Sequence, residues 1–195
     1  MTADDASSAA QPVFDVDSES GRLSPARFVA SPNRDARPNE TEPELLVVHG
    51  ISLPPGEFGG NEIEALFTNS LDWDAHPYFD GIRGFEVSAH LLIRRDGEVL
   101  QFVSFNERAW HAGQSRFHGR TRCNDFSIGI ELEGEDETPY EDAQYESLIA
   151  VVNAVKDAYP KIVNRNIAAH SDVAPGRKSD PGPAFDWLRL YDGLS

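Results

Sequence analysis

The side chains of this sequence best suited to bind a metal ion belong to two histidines and two aspartates. His49 follows the apolar run LLVV and His170 follows IAA, so each histidine stands where a short buried strand is predicted to end. Because strand ends lie near one another in a sheet, the two imidazoles are expected to converge. Asp172 and Asp180, both in the loop HSDVAPGRKSDPG, are alternatives for a third ligand. Catalytic zinc sites typically use three such ligands and keep one position open.

A candidate general base lies in the segment DFSIGIELEG, which is predicted to be a strand. Side chains alternate between the two faces of a strand, so Glu131 and Glu133 share one face while the alternating isoleucines and Leu132 face the core. A carboxylate in such a position can accept a proton from water and pass it to a leaving group. Periodicity alone does not choose between the two glutamates.

The other residues with reactive side chains have simpler interpretations. Cys123 lacks the local signature of a thiol protease, and as the only cysteine it cannot form an intramolecular disulfide. His90, inside the apolar run VSAHLLI, is typical of a hydrogen-bonded core histidine. His111, in RAWHAG, is a candidate for the border of the site, whereas His76 and His118 fall in predicted loops.

The elements that position these residues indicate an α/β fold. Strands are predicted for ELLVVHG, DFSIGIELEG and IAAH, and an antiparallel pair is predicted for residues 86–103. Asp96-Gly97 predicts a two-residue hairpin turn between the strands of that pair. We therefore expect a single domain with a central mixed β-sheet flanked by helices.

Three helices are predicted from capping signals and apolar spacing. Asn61 is the predicted N-cap of a short helix in NEIEALFTN. A capping box at Thr138-Pro139-Tyr140-Glu141 predicts the start of a long helix that ends before Pro160. The segment PAFDWLRLYDG has apolar residues at helical spacing and predicts a last helix.

Composition and charge limit the classes of function. The chain of 195 residues has 33 acidic and 17 basic residues and a formal net charge of -16. Nucleic acids and anionic membranes are bound through basic surfaces, so neither is an expected partner. A small-molecule substrate is expected, and no obligate protein partner is indicated.

The N-terminal segment and the cysteine content predict a cytoplasmic protein. Residues 1–20 are rich in Asp, Ser and Ala and are predicted to be an acidic, disordered extension, followed by one domain over residues 21–195. The segment lacks the basic and apolar regions of a signal peptide, and no apolar run is long enough to span a bilayer. A lone cysteine fits a reducing compartment.

Five motifs, spread from about Leu45 to Trp187, resemble those of a known enzyme family. They are LLVVHGISLPPGEFGG, VSAHLLIRRDGEV, RAWHAG, RCNDFSIGIELEG and DPGPAFDW. The set resembles the N-acetylmuramoyl-L-alanine amidases of type 2, and most closely the AmpD-type members that act on 1,6-anhydromuropeptides. The resemblance implies the fold shared by type 2 amidases and peptidoglycan-recognition proteins. It also implies zinc-dependent hydrolysis of the amide between the lactyl group of 1,6-anhydro-N-acetylmuramic acid and L-alanine in cytosolic muropeptides, during peptidoglycan recycling.

The resemblance also implies roles for individual residues. It assigns one zinc ion per chain to His49, His170 and Asp180, which leaves Asp172 as a turn residue. Glu131 matches the catalytic glutamate of the family, a choice that geometry alone does not make.

Two further residues match substrate or transition-state contacts of the family, and a third is a candidate from its place in HPYF. Lys178 corresponds to the lysine that stabilises the developing oxyanion. Arg122, in TRCNDF, matches the arginine that binds a carboxylate of the stem peptide, and Tyr78 is a candidate for lining the muropeptide groove, with a core-capping role as its alternative.

Two other functions are compatible with the same motifs. An endolysin-like amidase would act on intact peptidoglycan, and a recognition module of this fold would bind fragments without cleaving them. The presence of all three implied ligands together with Glu131 favours an enzyme over the recognition module.

Overall fold

A mixed β-sheet forms the centre of the protein, whose computed structural model describes residues 13–195. The strands are β1 (Asp15–Asp17), β2 (Arg22–Ser24), β3 (Arg27–Phe28), β4 (Arg34–Ala36), β5 (Leu45–Ile51), β6 (Leu91–Ile93), β7 (Val99–Gln101), β8 (Glu107–Ala109), β9 (Arg116–Phe117), β10 (Arg120–Thr121), β11 (Ser127–Glu133) and β12 (Ile167–Ala169). The α-helices are α1 (Glu62–Phe67), α2 (Asp142–Ala158), α3 (His170–Val173) and α4 (Trp187–Asp192). None of the helices in this part of the chain has the length and apolar character needed to span a membrane.

The central sheet has six strands in the order β12-β5-β11-β6-β7-β3. Strands β12, β5, β11 and β6 are parallel to one another, whereas β7 is antiparallel to β6. In the register of β11 with β5, Glu131 lies opposite His49. The prediction of a mixed sheet with helices is confirmed.

The main core lies between this sheet and helix α2. The strand side chains in it are those of Leu46, Val48, Ile128, Ile130 and Leu132, and the helix contributes Tyr145, Leu148, Val151, Val152 and Val155. Since side chains alternate along a strand, the odd-numbered residues of β5 and β11 face away from α2. His49 and Glu131 therefore lie on the face opposite the helix, as the pattern of DFSIGIELEG predicted for Glu131.

Helix α2 starts later than its predicted capping box. Its N-cap is Glu141, which has an extended backbone conformation, and its first residue is Asp142. The Glu141 N–H donates to Gln144 Oε1 at 3.0 Å, and the amide nitrogen of Gln144 donates to the carbonyls of Ile93 and Glu133. Because the buried Gln144 is held by the last residues of β6 and β11, the helix begins close to it and the predicted start at Thr138 was wrong. Its end at Ala158, before Pro160, is confirmed.

The hairpin of β6 and β7 is confirmed, but its turn is longer than predicted. The Gly97 N–H donates to the Arg94 carbonyl and the Arg94 N–H donates to the Glu98 carbonyl, both at 2.9 Å. The turn therefore contains three residues, of which Gly97 has a positive φ of 87°. Asp96 instead accepts a hydrogen bond from the Glu98 N–H through its side chain.

The predicted N-terminal extension is partly structured. Residues 1–12 lie outside the described part of the chain, so the prediction of disorder stands untested there. Strand β1, however, pairs with β2, and Phe14 and Val16 pack against the main core beside α2. The prediction of disorder was wrong from residue 13 to residue 20. Despite the acidic residues around them, Phe14 and Val16 pack on the apolar surface of the main core.

The last helix is shorter than PAFDWLRLYDG suggested. Asp186 accepts a hydrogen bond from the Arg189 N–H at 3.0 Å and caps helix α4, which begins at Trp187. The buried face also differs from the predicted one, since Leu190 is buried whereas Leu188 is 76% exposed.

Two glycines with similar backbone angles give a test of the hairpin turn. At Gly97 a Cβ would lie 2.9 Å from the Ala143 carbonyl oxygen, whereas at Gly119 (φ 82°) nothing lies within 4 Å. An L-residue at positive φ costs about 1–2 kcal/mol, so Gly119→Ala should lower the free energy of unfolding by about that amount. Gly97→Ala should lower it further because the turn must also move away from α2. Chemical denaturation of both variants measures this, and equal losses would contradict the close packing.

Candidate active site

The candidate site residues come together at the ends of the parallel strands, on the face opposite α2. His49 lies within β5 and Glu131 lies beside it in β11. His170 directly follows β12 as the first residue of α3, and Asp180 lies in the loop after that helix. Their convergence was predicted, although β5 continues past His49 to Ile51 and does not end before it.

The side chains of His49, His170 and Asp180 present three donor atoms to one point. The two Nδ1 atoms are 2.9 Å apart, and Asp180 Oδ2 is 2.9 Å from His170 Nδ1 and 3.4 Å from His49 Nδ1. All three atoms lie within 4.8 Å of one another. Two imidazole nitrogens and a carboxylate oxygen are a donor set that suits first-row divalent metals.

The position of Asp172 removes it from this group. Its Oδ2 accepts a hydrogen bond from the Ala169 N–H at 2.9 Å and so stabilises the first turn of α3. Asp180 is the aspartate whose carboxylate faces both histidines. The geometry thus favours the same aspartate that the family resemblance implied.

The surroundings of His49 and Asp180 set the charge of these two donors. Burial lowers the pKa of His49 to about 4, so its imidazole is neutral near pH 7 and has a free lone pair. Burial alone would raise the pKa of Asp180, but the close contacts of its carboxylate with His170 and His49 outweigh burial and hold that pKa below its ordinary range. Neutral imidazoles and an ionised carboxylate are the forms that bind metals.

Glu131 lies close to the three donors without joining them. Its Oε1 is 3.9 Å from His49 Nδ1, and its side chain is 12% exposed. Within residues 13–195, Glu131 Oε2 and His170 Nε2 are buried atoms without a hydrogen-bond partner. Burial and the Asp180 carboxylate raise the pKa of Glu131 well above its ordinary value, while Lys178 opposes the shift. A carboxylate in this environment holds a proton more readily than an exposed one, which suits a group that accepts and returns a proton.

Glu133, the alternative base, has a different environment on the same face of β11. Its side chain is 2% exposed and its Oε1 accepts a hydrogen bond from the Gly59 N–H at 2.6 Å. Its other oxygen accepts from the Arg95 N–H at 3.2 Å, and Arg94 Nη1 is 3.6 Å from Oε1. Both carboxylate oxygens are therefore used to hold the loop at Gly59 and the hairpin at Arg95.

A cleft of about 820 Å³ opens over the site. Glu131, His170 and Asp180 lie in its wall together with Lys178 and Tyr78, and Tyr78 is 45% exposed. Leu53, Ile82, Phe85 and Val87 add an apolar side to the same wall. This size and this mixture of apolar surface with a few charged groups are usual for small-molecule sites.

The two arginines near the predicted site differ in where they lie. Arg122 is the N-cap residue of a short 3-10 helix, its side chain is 69% exposed, and its Nε lies 3.2 Å from Asp125 Oδ2. It is not among the residues that line the cleft, so its role as a substrate contact stays a prediction. Arg177, next to Lys178 in PGRKSD, does line the cleft. Arg177 was not predicted as a site residue from the sequence, although its position beside Lys178 could have indicated one.

The remaining reactive residues follow their simpler interpretations, with one exception. Cys123 is fully buried beside Phe126, and burial raises the pKa of its thiol. His90 is a core histidine whose Nδ1 accepts a hydrogen bond from the Gly129 N–H at 3.0 Å. His111 is the exception, because its Nδ1 lies 2.9 Å from His49 Nε2.

Comparison with known proteins places this site in a family. The family model described as N-acetylmuramoyl-L-alanine amidase matches residues 39–183, which include β5, β11, β12 and the loop that carries Asp180. The chain belongs to this amidase family. The resemblance of its motifs to type 2 amidases is thereby confirmed.

Relatives within the amidase family match nearly the whole chain. The 1,6-anhydro-N-acetylmuramyl-L-alanine amidase AmpD of Enterobacter cloacae is 62% identical over 177 residues, covering 91% of this chain and 94% of the relative. A crystal structure of a selenomethionine AmpD derivative superposes with a TM-score of 0.88 at 58% identity, covering 90% of this chain and 98% of that one. The amidase AmiD of Escherichia coli, in a complex with the substrate anhydro-N-acetylmuramic acid-L-Ala-D-gamma-Glu-L-Lys, is 31% identical with a TM-score of 0.58, covering 82% of this chain and 60% of AmiD. The predicted type 2 amidase fold is confirmed.

The two aspartates give a matched test of the metal centre. Asp180→Asn should lose the bound divalent metal, because it removes the negative charge that faces both histidines. Asp172→Asn should keep it, since an amide oxygen can still accept from the Ala169 N–H. Metal content of the purified proteins by mass spectrometry measures the difference. A metal content that falls in the Asp172 variant and not in the Asp180 variant would reverse the assignment.

Proposed function

We propose that this amidase hydrolyses the amide bond between the lactyl group of 1,6-anhydro-N-acetylmuramic acid and L-alanine in soluble muropeptides. The observation that carries the proposal is the convergence of His49, His170 and Asp180 beside a partnerless buried oxygen of Glu131. His170, Asp180 and Glu131 line one cleft. The relatives that cover about nine-tenths of the chain are named for this activity. The cleft volume of about 820 Å³ suits a sugar with a short peptide.

The metal proposed for the site is zinc, one ion per chain. His49 and His170 would each bind it through Nδ1 and Asp180 through a carboxylate oxygen, which is a donor set of catalytic zinc with room for a further ligand. A zinc ion held there would supply Lewis acidity, which activates water and polarises the amide carbonyl.

Glu131 is proposed as the group that moves protons during the reaction. Water adds its oxygen to the carbonyl carbon of the lactyl group and gives one proton to the Glu131 carboxylate. Glu131 then returns the proton to the alanine nitrogen as the carbon–nitrogen bond breaks, leaving a carboxylic acid on the sugar and a free amine on the peptide. The raised pKa of Glu131 matches a group that both accepts and donates a proton.

Lys178 is proposed to stabilise the negative charge that develops on the carbonyl oxygen. It lies in the cleft wall between Arg177 and the loop residue Ser179, and its charge affects the pKa of both His49 and Glu131. A cation beside the scissile carbonyl would favour the tetrahedral transition state over the planar amide. The nearby Arg177 adds positive charge to the same wall, where a peptide carboxylate can bind.

Substrate contacts are proposed for Tyr78, which lines the cleft, and for Arg122, which lies outside its lining. Tyr78 presents an exposed ring in the cleft wall, where it can contact the sugar or the stem peptide. Arg122 is proposed to bind a carboxylate of the stem peptide by releasing Asp125, which has Arg108 as a second partner. In a protein of net charge -16, anion binding depends on such local cations.

A cytoplasmic place of action is proposed with this substrate. AmpD-type amidases, which the chain resembles, act on cytosolic muropeptides. The lone Cys123 is a free, buried thiol, which is compatible with a reducing compartment.

The proposed reaction is tested by mass spectrometry of the products. Zinc-loaded protein incubated with anhydromuramoyl-tripeptide should release the free tripeptide, release should stop when zinc is removed by a chelator, and it should return when zinc is restored. Purified sacculi should be digested far more slowly. Comparable digestion of sacculi would favour an endolysin-like enzyme, and tight binding of the fragment without release would favour a recognition module.

The two glutamates of β11 separate catalysis from stability. Glu131→Gln should lower turnover by about 100- to 10,000-fold, because the amide cannot exchange the proton, while bound zinc and the melting temperature stay near those of the parent. Glu133→Gln should instead lower the free energy of unfolding by about 1–3 kcal/mol, since a buried hydrogen-bonded carboxylate is lost. Its turnover per folded molecule should change little. Near-parental turnover in Glu131→Gln would show that another residue is the base.

A further inference from the structure

A third histidine continues the polar cluster away from the cleft. His111 Nδ1 lies 2.9 Å from His49 Nε2, and His111 Nε2 lies 3.1 Å from Ser127 Oγ. The rings of His49 and His111 are nearly perpendicular, with centroids 5.0 Å apart. The polar contacts therefore continue from His49 Nδ1, which faces His170 and Asp180, through His49 Nε2 and His111 to Ser127 in β11.

The contacts at the two ends of this row of side chains, at His49 and at Ser127, fix the direction of the hydrogen bonds between them. His49 Nδ1 faces His170 and Asp180, so it is the nitrogen that must keep a free lone pair for a metal. A neutral imidazole has one N–H, which then lies on Nε2 and donates to His111 Nδ1. His111 must in turn carry its proton on Nε2 and donate it to Ser127 Oγ.

We propose that His111 is a positioning residue that fixes the tautomer and the ring orientation of the metal ligand His49. The proposal rests on the metal site described above. Metal-binding histidines usually donate their second N–H to a carboxylate, a carbonyl or water, and these partners influence metal affinity. Here a neutral histidine acceptor, itself oriented by Ser127, takes that place.

Gly129 gives an independent indication that the His111 ring belongs at this position. A Cβ on Gly129 would lie 2.5 Å from His111 Nδ1 and 2.6 Å from its Cγ. Gly129 lies inside β11, where a glycine weakens a strand unless something approaches its backbone closely. Strand β11 therefore supplies the acceptor at Ser127, the space at Gly129 and the proposed base at Glu131, all on one face.

The loop that carries His111 is held from both sides. Asn124 Oδ1 accepts a hydrogen bond from the Ala112 N–H at 2.8 Å. Arg177 donates to the Ala112 and Gln114 carbonyls, the latter at 2.9 Å. Since Arg177 lies three residues before Asp180, this contact also joins the loop of His111 to the loop of the third donor.

A direct test is the tautomer of His111 in zinc-loaded protein. Long-range proton–nitrogen correlation spectra distinguish the two neutral tautomers of histidine. The proposal expects the proton of His111 on Nε2 and the proton of His49 on Nε2. A spectrum with the proton of His111 on Nδ1 would overturn it, since both nitrogens would then be donors at the 2.9 Å contact.

A second test compares variants that keep or remove the acceptor. His111→Asn retains an oxygen near the position of Nδ1, whereas His111→Leu has the apolar bulk and no acceptor. Zinc affinity, measured by competition with a chromophoric chelator, should fall about 10- to 100-fold in His111→Leu and clearly less in His111→Asn. Gly129→Ala should also weaken zinc binding because it displaces the ring. His118→Leu, which alters an exposed histidine, is the matched control and should bind zinc as the parent does.

The outcomes separate this proposal from the proposed function. Parental zinc affinity in His111→Leu, or equal losses in the Leu and Asn variants, would show that His111 acts only by packing. The melting temperature of each metal-free variant accounts for general destabilisation. If the parent itself binds no zinc, the metal centre and this inference fail together, whereas an active zinc-binding parent with unaffected variants overturns the inference alone.

Discussion

The parallel pairing of β5 with β11 buries polar side chains in the interior of the protein. Much of the structure around them provides polar partners that offset the free-energy cost of this burial. Unpaired polar groups in such a place cost several kcal/mol, and unpaired charges cost more. The donor atoms of His49, His170 and Asp180 lie 2.9–3.4 Å apart. The other nitrogen of His49 contacts His111, which in turn contacts Ser127. Glu131 Oε2 and His170 Nε2, two of the three buried side-chain atoms of residues 13–195 that lack a hydrogen-bond partner, belong to residues that line the cleft. Burial thus sets the protonation states on which the proposed chemistry depends.

Much of the fold and the centre of the site could be predicted from the sequence, because both follow from short-range patterns. Apolar runs located β5, β11 and β12, and the histidines next to them indicated convergence. The choice between Glu131 and Glu133 could not be made in this way, since both lie on one face of β11. The distinction between the two glutamates depends on Gly59, Arg94 and Arg95, which are far from β11 in sequence and contact the carboxylate of Glu133 but not that of Glu131.

The errors in prediction have the same physical origin. The start of α2 is set by Gln144, whose partners lie on two strands that no local capping pattern can include. The segment around Phe14 and Val16 has an acidic composition, yet it packs because α2 offers it an apolar surface. His111 was only a candidate for the border of the site, because its contact with His49 joins residues 62 positions apart.

The register of β11 against β5 also limits how this sequence can change in length. Successive side chains of a strand point to opposite faces, so a one-residue slip would turn Glu131 toward α2 and bring Ile130 or Leu132 to the cleft. Single insertions and deletions within these two strands are therefore excluded, whereas the connections between them are free to lengthen or shorten. During divergence, the enzyme can alter its rim by gaining or losing loop residues while the spacing from Leu45 to His49 and from Ser127 to Glu131 stays constant.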